Sequence, residues 1–194
     1  MFNTAAFLSF AFSMAATPGP NNLSSMSAAS VSGLKKSYPF NFGVFTGVFI
    51  ISLVTAFFCN AVSELLPKIK SVMLVFGAVY ILRLAWKIYR SDAAVFDSKP
   101  VKSGFTDGML LQLTNPKCCL YILVSMESYI LPCYQGNALA LVLFALLLAS
   151  ISLFCTLCWA LFGSFFKLLF SQYAKTINTL LALALACCAA ALFI

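Results

Sequence analysis

The sequence predicts an all-α integral membrane protein. It would have six transmembrane helices as two inverted three-helix repeats, the first helix of each repeat broken by proline. Three observations carry that expectation. The 194 residues are 62% apolar and 9% charged, with a mean hydropathy of +1.00; soluble domains are roughly 45–50% apolar and about 25% charged. Six runs are long enough to span, since a span needs about 20 mostly apolar residues. Proline and asparagine interrupt the first and fourth of these runs at comparable depth.

The six runs cover about 4–25, 40–62, 70–89, 106–130, 138–162 and 174–194. In the first, SMAATPG looks like a cleavage site, but no Lys or Arg precedes the apolar stretch. It is expected to remain as a span rather than act as a signal peptide. ATPGPNN, residues 16–22, interrupts it. A proline lacks an N–H and collides with the carbonyl four residues back. Pro18 therefore frees the Met14 carbonyl and Pro20 that of Ala16, while Gly19 removes the remaining stiffness. A half-helix then restarts near Asn21 or Asn22, with unpaired N–H groups and the positive end of its dipole at the break. Freed backbone groups are tolerated in a bilayer only where protein or a water-filled cavity meets them.

The second run carries Gly43 and Gly47, and the sixth Ala182, Ala186 and Ala190, small residues four apart that let helices approach closely. In the third, Arg83 and Lys87 are expected to snorkel to the interface. Trp86, Tyr89, Trp159 and Tyr173 suit interfacial anchoring. The fourth run contains TNPKCC, residues 114–119, where Pro116 frees the Gln112 carbonyl and Asn115 and Lys117 flank it. Lys117 lies about ten residues into the run, roughly 15 Å deep at 1.5 Å per residue. A lysine near the midplane costs about 2.5–3.5 kcal/mol on insertion scales, so a cavity or a partner is expected.

Both breaks open a group of three spans. A unit with an odd number of spans points the opposite way when repeated, and paired interrupted spans in two halves point to a transport site. The chain is thus expected to be a single transmembrane domain over 1–194, with repeats at about 1–90 and 105–194. The links after spans one, three and five hold Lys35, Lys36, Arg90, Lys99, Lys102 and Lys167, with Lys87 and Lys175 at their edges; the other side offers Lys68 and Lys70. The positive-inside rule places both termini outside.

The net charge of +7 is scattered one or two residues per link, which argues for membrane orientation and against nucleic acid. There is no histidine, and Cys118-Cys119, Cys155-x-x-Cys158 and Cys187-Cys188 all lie in apolar runs. They are read as packing residues, with no metal or cofactor expected. A Cys59–Cys133 disulfide is left open, as is homo-oligomerisation. Asp107 is a candidate for ion coupling and Glu127 a weaker one; both sit near span ends. No nucleophile elbow, H-E-x-x-H or acidic cluster suggests an enzyme.

TPGPN (17–21), Gly33, Gly43, Gly47, GAVYILRLAWKIYR (77–90) and NPK (115–117) together resemble the LysE/RhtB family of amino-acid exporters. LQLTNPKCCLY (111–121) and CWALFGSFFKLLFSQY (158–173) are similar to its cysteine/O-acetylserine exporters. The resemblance implies efflux of a small neutral amino acid from the cytoplasm across a bacterial inner membrane. Another amino acid (homoserine, threonine or a basic one) and a non-transporting membrane subunit stand as alternatives. The residues expected to bind substrate are Pro18, Gly19, Pro20, Asn21, Asn22, Gln112, Asn115, Pro116 and Lys117. The partners expected are an amino acid and the lipid bilayer. A C-terminal reporter active only in the cytoplasm is expected to stay silent; strong activity overturns the orientation.

Overall fold

The computed structural model describes residues 2–90, 104–165 and 174–190, and every regular element in them is helical. Lys99, Lys102, Lys167 and Tyr173 lie outside the described residues.

Asn3 opens α1 (Thr4–Ala16); its side-chain oxygen accepts the Ala6 N–H at 3.0 Å, satisfying an otherwise orphan donor. The helix stops before Pro18. α2 (Pro20–Ser32) begins on a proline, where the missing N–H is not needed. Gly33 ends it at φ +85°, a backbone conformation that favours glycine, and α3 follows at once. α3 (Leu34–Tyr89) consists of two helices joined at Phe58, whose φ of −124° and ψ of 32° are non-helical.

That joint corrects the expected boundaries. Residues 63–69, read as a link between spans two and three, are helical, and the chain kinks earlier. No glycine falls between Gly47 and Gly77, and Glu64, Leu65, Leu66 and Lys68 are good helix formers, so the helix continues through Pro67. Hydropathy dips there without the helix ending.

The second half opens with α4 (Phe105–Thr114), where the Asp107 carboxylate accepts the Gly104 N–H at 2.8 Å. Asn115 alone, in an extended conformation, separates α4 from α5 (Pro116–Val124). A π-helical turn (Ser125–Ile130) and the short α6 (Leu131–Tyr134) complete that span. Asn137 caps α7 (Ala138–Phe165) by accepting the Ala140 N–H at 3.0 Å. α8 (Ala174–Ala190) ends the described chain.

Two of these segments can span a bilayer unaided, Leu34–Cys59 with a mean hydropathy of 2.3 and Ala138–Phe165 with 2.7. At 1.5 Å per residue they reach about 40 Å, beyond the roughly 30 Å hydrocarbon core. Their outward faces are apolar: Ile50, Val54 and Phe57 form a stripe on α3, and Leu139, Leu143, Phe154 and Leu161 line α7. Soluble monomers rarely expose contiguous patches of this kind; lipid accommodates them.

α1 and α2 run beside α7 in the same direction, Phe7 meeting Phe144, Phe12 meeting Phe154 and Met26 meeting Gly163. The first half of α3 runs in parallel beside α4, Gly43 against Phe105 and Gly47 against Gln112. Lipid supplies no hydrophobic drive between helices, so close packing and hydrogen bonds hold them. A Cβ on Gly43, Gly108 or Gly163 would run into the backbone carbonyls of Phe105, Phe40 and Met26 respectively. The α8 contact differs in register from the expected alanine stripe. Ala182, Leu185 and Ala189 are buried in one cluster with Ala78, Ile81 and Ala85, while Ala190 is exposed. The stripe follows a three- and four-residue rhythm rather than strict fours, as one face of a 3.6-residue helix does.

Gly163→Ala is expected to lower stability in detergent by about 1–3 kcal/mol, read by thermal unfolding. Gly104→Ala meets nothing nearer than Asp107 Oδ2 at 3.8 Å and should stay within about 0.5 kcal/mol of the parent.

Candidate functional site

The two breaks meet. Asn21 Nδ2 donates to Gln112 Oε1 at 2.7 Å, and Gln112 Nε2 donates back to Asn21 Oδ1 at 3.2 Å. Asn115 Nδ2 donates to the same Asn21 oxygen at 3.1 Å. Gln112 also donates to the Gly108 carbonyl at 2.9 Å, and Asn115 Oδ1 caps α5 by accepting the Lys117 N–H at 3.1 Å. Gln112 is fully buried and Asn115 nearly so. Buried amides of this kind are retained only when partnered, because an orphaned one costs about 1–3 kcal/mol.

Lys117 reaches from the second break to the first. Its ammonium donates to the Thr17 carbonyl at 2.8 Å, the Thr17 hydroxyl at 2.9 Å and the Pro18 carbonyl at 3.4 Å. Gly19 leaves room for this stem; a Cβ there would sit 3.2 Å from Nζ. The extended backbone at Gly19 suits any residue, so proximity to Lys117 is the reason for a small one.

The carbonyls freed by the prolines have partners. Met14 O accepts from Thr17 Oγ1 at 3.1 Å, and Ala16 O from the Trp159 indole at 3.1 Å. Asn22 Nδ2 donates to both Ala15 O and Thr17 O, at 2.8 and 2.9 Å. At the second break, Asn115 N–H donates to Gln112 O at 3.4 Å. Trp159, read as an interfacial anchor, also meets the first break through its indole N–H on the Ala16 carbonyl. Trp86 and Tyr89 are exposed, with Arg90 5.1 Å from the Trp86 ring centroid.

Asn21, Asn115, Lys117, Tyr121 and Ser152 border a cavity of about 30 Å³. All nine residues expected to bind substrate fall in this neighbourhood: Gly19, Pro20 and Asn22 line it too, Pro18 supplies a carbonyl, Gln112 pairs with Asn21, and Pro116 is buried at the start of α5. Asp107 does not join them, being exposed at the start of α4 and engaged by the Gly104 N–H. Thr17 and Trp159 were not foreseen as site residues. Thr17 stood inside the TPGPN motif; Trp159 is distant in sequence and had no local signal.

A larger cavity of about 630 Å³ opens at the Phe58 kink, bordered by Phe57, Cys59, Glu127, Leu131 and Gln135. Cys133 carries a free thiol, so the bridge to Cys59 is not formed in this structure. Near the start of α3, Ser25 Oγ donates to Asn41 Oδ1 at 2.6 Å and is 2.9 Å from the Thr156 carbonyl. This buried node ties α2, α3 and α7 beside the glycine contacts.

Asn21→Leu would leave Gln112 and Asn115 short of partners and should cost about 1–3 kcal/mol. Adding Gln112→Leu should recover part of that loss, with a coupling of at least about 0.5 kcal/mol. Thermal unfolding of the parent, single and double variants measures it, and strict additivity would deny the pairing.

The comparisons with known proteins agree in direction. The chain is 36% identical over 189 residues to a cysteine/O-acetylserine efflux protein of Salmonella choleraesuis (strain SC-B67), covering 97% of this chain and 96% of the relative. Proteins of the same description in Escherichia coli (strain K12) and Klebsiella pneumoniae subsp. pneumoniae are each 35% identical. These alignments cover 97% and 95% of this chain, and 96% and 93% of the relatives. No solved structure matches the chain. The family profile described as LysE type translocator matches residues 12–194. The chain therefore belongs to the LysE family of membrane translocators.

Proposed function

We propose that this protein is a secondary exporter of small neutral amino acids of the cysteine/O-acetylserine kind. It would move them out of the cytoplasm across a bacterial inner membrane by alternating access. The relatives described as cysteine/O-acetylserine efflux proteins over nearly the whole chain support the substrate class. The observation that carries the mechanism is the meeting of the two breaks, Asn21 with Gln112 and Asn115, and Lys117 with Thr17 and Pro18.

In this reading the chain is one domain of two inverted repeats, about 1–90 and 105–194, with both termini periplasmic. The reciprocal packing of span one on span five and of span two on span four supports it, since a pseudo-two-fold axis exchanges those pairs. Substrate binds between the breaks. Its carboxylate meets the first N–H groups of α2 or the Lys117 ammonium. Its ammonium meets carbonyls of the first break and the side-chain oxygens of Asn21, Asn22, Asn115 or Gln112. A cavity of about 30 Å³ holds a water or two, so an amino acid enters only as the breaks separate. With the termini outside, the glycine contacts close the cytoplasmic end and the Phe58 cavity opens outward. Asp107 lies on the cytoplasmic rim, where an acid can exchange protons with that side.

Counterflow of labelled cysteine in proteoliposomes tests the reading, with O-acetylserine, homoserine, threonine and lysine as competitors. Cysteine and O-acetylserine should compete best. Dominance of homoserine or lysine reassigns the substrate, and absence of any amino-acid flux refutes export. Pro18→Ala with Pro20→Ala should insert normally, since proline costs about 3 kcal/mol in a helix interior. It should nonetheless lose counterflow as the healed helix withdraws its carbonyls. Parental flux in that variant would reduce the break to a kink.

A further inference from the structure

The Lys117 ammonium is a primary ammonium with three N–H donors, and it rests on three oxygens of the opposite half: Thr17 O, Thr17 Oγ1 and Pro18 O. An amino acid's α-ammonium is the same chemical group. We infer that the Thr17–Pro18 edge is the subsite for the substrate's primary ammonium, and that Lys117 fills it in the empty protein as a tethered competitor. The inference rests on the exporter reading for its substrate and deepens the account of that site.

The geometry explains how such a site would select. Asn22 Nδ2 also donates to Thr17 O, so this carbonyl is aimed by a side chain as well as freed by the break. A tethered ammonium acts at a high effective concentration, so a simple amine gains little by displacing it. A zwitterion gains more. Its ammonium takes the three oxygens while its carboxylate receives the displaced Lys117 in a charge-assisted pair. No charge is left uncompensated in the bundle during the exchange. The same swap breaks the Lys117 link between the halves, so loading the site and loosening the occluding contact are one event. The described residues bordering the cavity include no acid, so carbonyl and hydroxyl oxygens are the ammonium acceptors at hand.

Calorimetry on purified wild-type and Lys117→Met protein tests this with ethylamine, ethyltrimethylammonium and cysteine. Removing an internal competitor raises apparent affinity by the fraction of sites it had blocked. Ethylamine should therefore bind Lys117→Met at least about tenfold more tightly than wild type. The quaternary ammonium, with no N–H to donate, should show no comparable gain, and cysteine should bind more weakly. Adding Thr17→Val should take back part of the ethylamine gain. Thermal unfolding monitors folding, and Lys117→Leu serves as a second variant. Unchanged ethylamine affinity overturns the inference; equal gains for both amines also do, since they reflect relief of charge repulsion alone. If wild type fails to bind cysteine, the proposed substrate falls while the ethylamine comparison still decides the subsite.

Discussion

Every backbone carbonyl and N–H inside a bilayer must find a partner within the protein, and the structure is organised around the two places where this chain gives up its own. At residues 17–19 and at Asn115 the helices stop within the bundle. Side chains make up the difference: Thr17 for Met14, Trp159 for Ala16, Asn22 for Ala15 and Thr17, and Asn115 for the start of α5. Asn21, which caps nothing locally, pairs across to Gln112 and to the amide nitrogen of Asn115. Repairing each break thus brings the two together, and the candidate site results from that repair.

Packing is uneven along the bundle. At the end holding the start of α3, glycines let α4 approach α3 and α7 approach α2 backbone to backbone, and the Ser25–Asn41 node ties α2 to α3 there. At the Phe58 end a cavity of about 630 Å³ separates α3 from the π-helical turn. π-Helical turns occur often at functional sites, and this one puts Glu127 on the cavity rim. The bundle is thus tight at one end and open at the other, with the polar breaks between.

Much of this was legible in the sequence, for reasons that differ by element. Pro18, Pro20 and Pro116 dictate breaks through local covalent geometry, and both breaks occur where expected. Asn21, Gln112 and Asn115 stood out because amides in an apolar run must pair. The partners they choose depend on helix packing, which no local pattern encodes. The Trp159 contact was missed for that reason, since its indole satisfies a carbonyl 143 residues away. The alanine register on α8 was missed because it depends on the facing helix, and the Phe58 kink because no proline or glycine marks residues 48–66. The π-helical turn carries no composition signal.

The polarity of α2 bears on how the protein reaches its native state. Thirteen residues hold Ser24, Ser25, Ser27, Ser30 and Ser32 as well as Asn21 and Asn22. Ser24, Ser25 and Ser30 are buried against neighbouring helices rather than exposed to lipid. One of the carbonyls that holds Ser25, Thr156, emerges from the ribosome more than a hundred residues later. During synthesis this half-helix therefore has no finished surroundings. Until α7 is made, Ser25 lacks the Thr156 carbonyl that it faces in the finished bundle. The polar half-helix is therefore completed by tertiary contact rather than by its own sequence: α2 gains its buried partners only once α7 lies beside it.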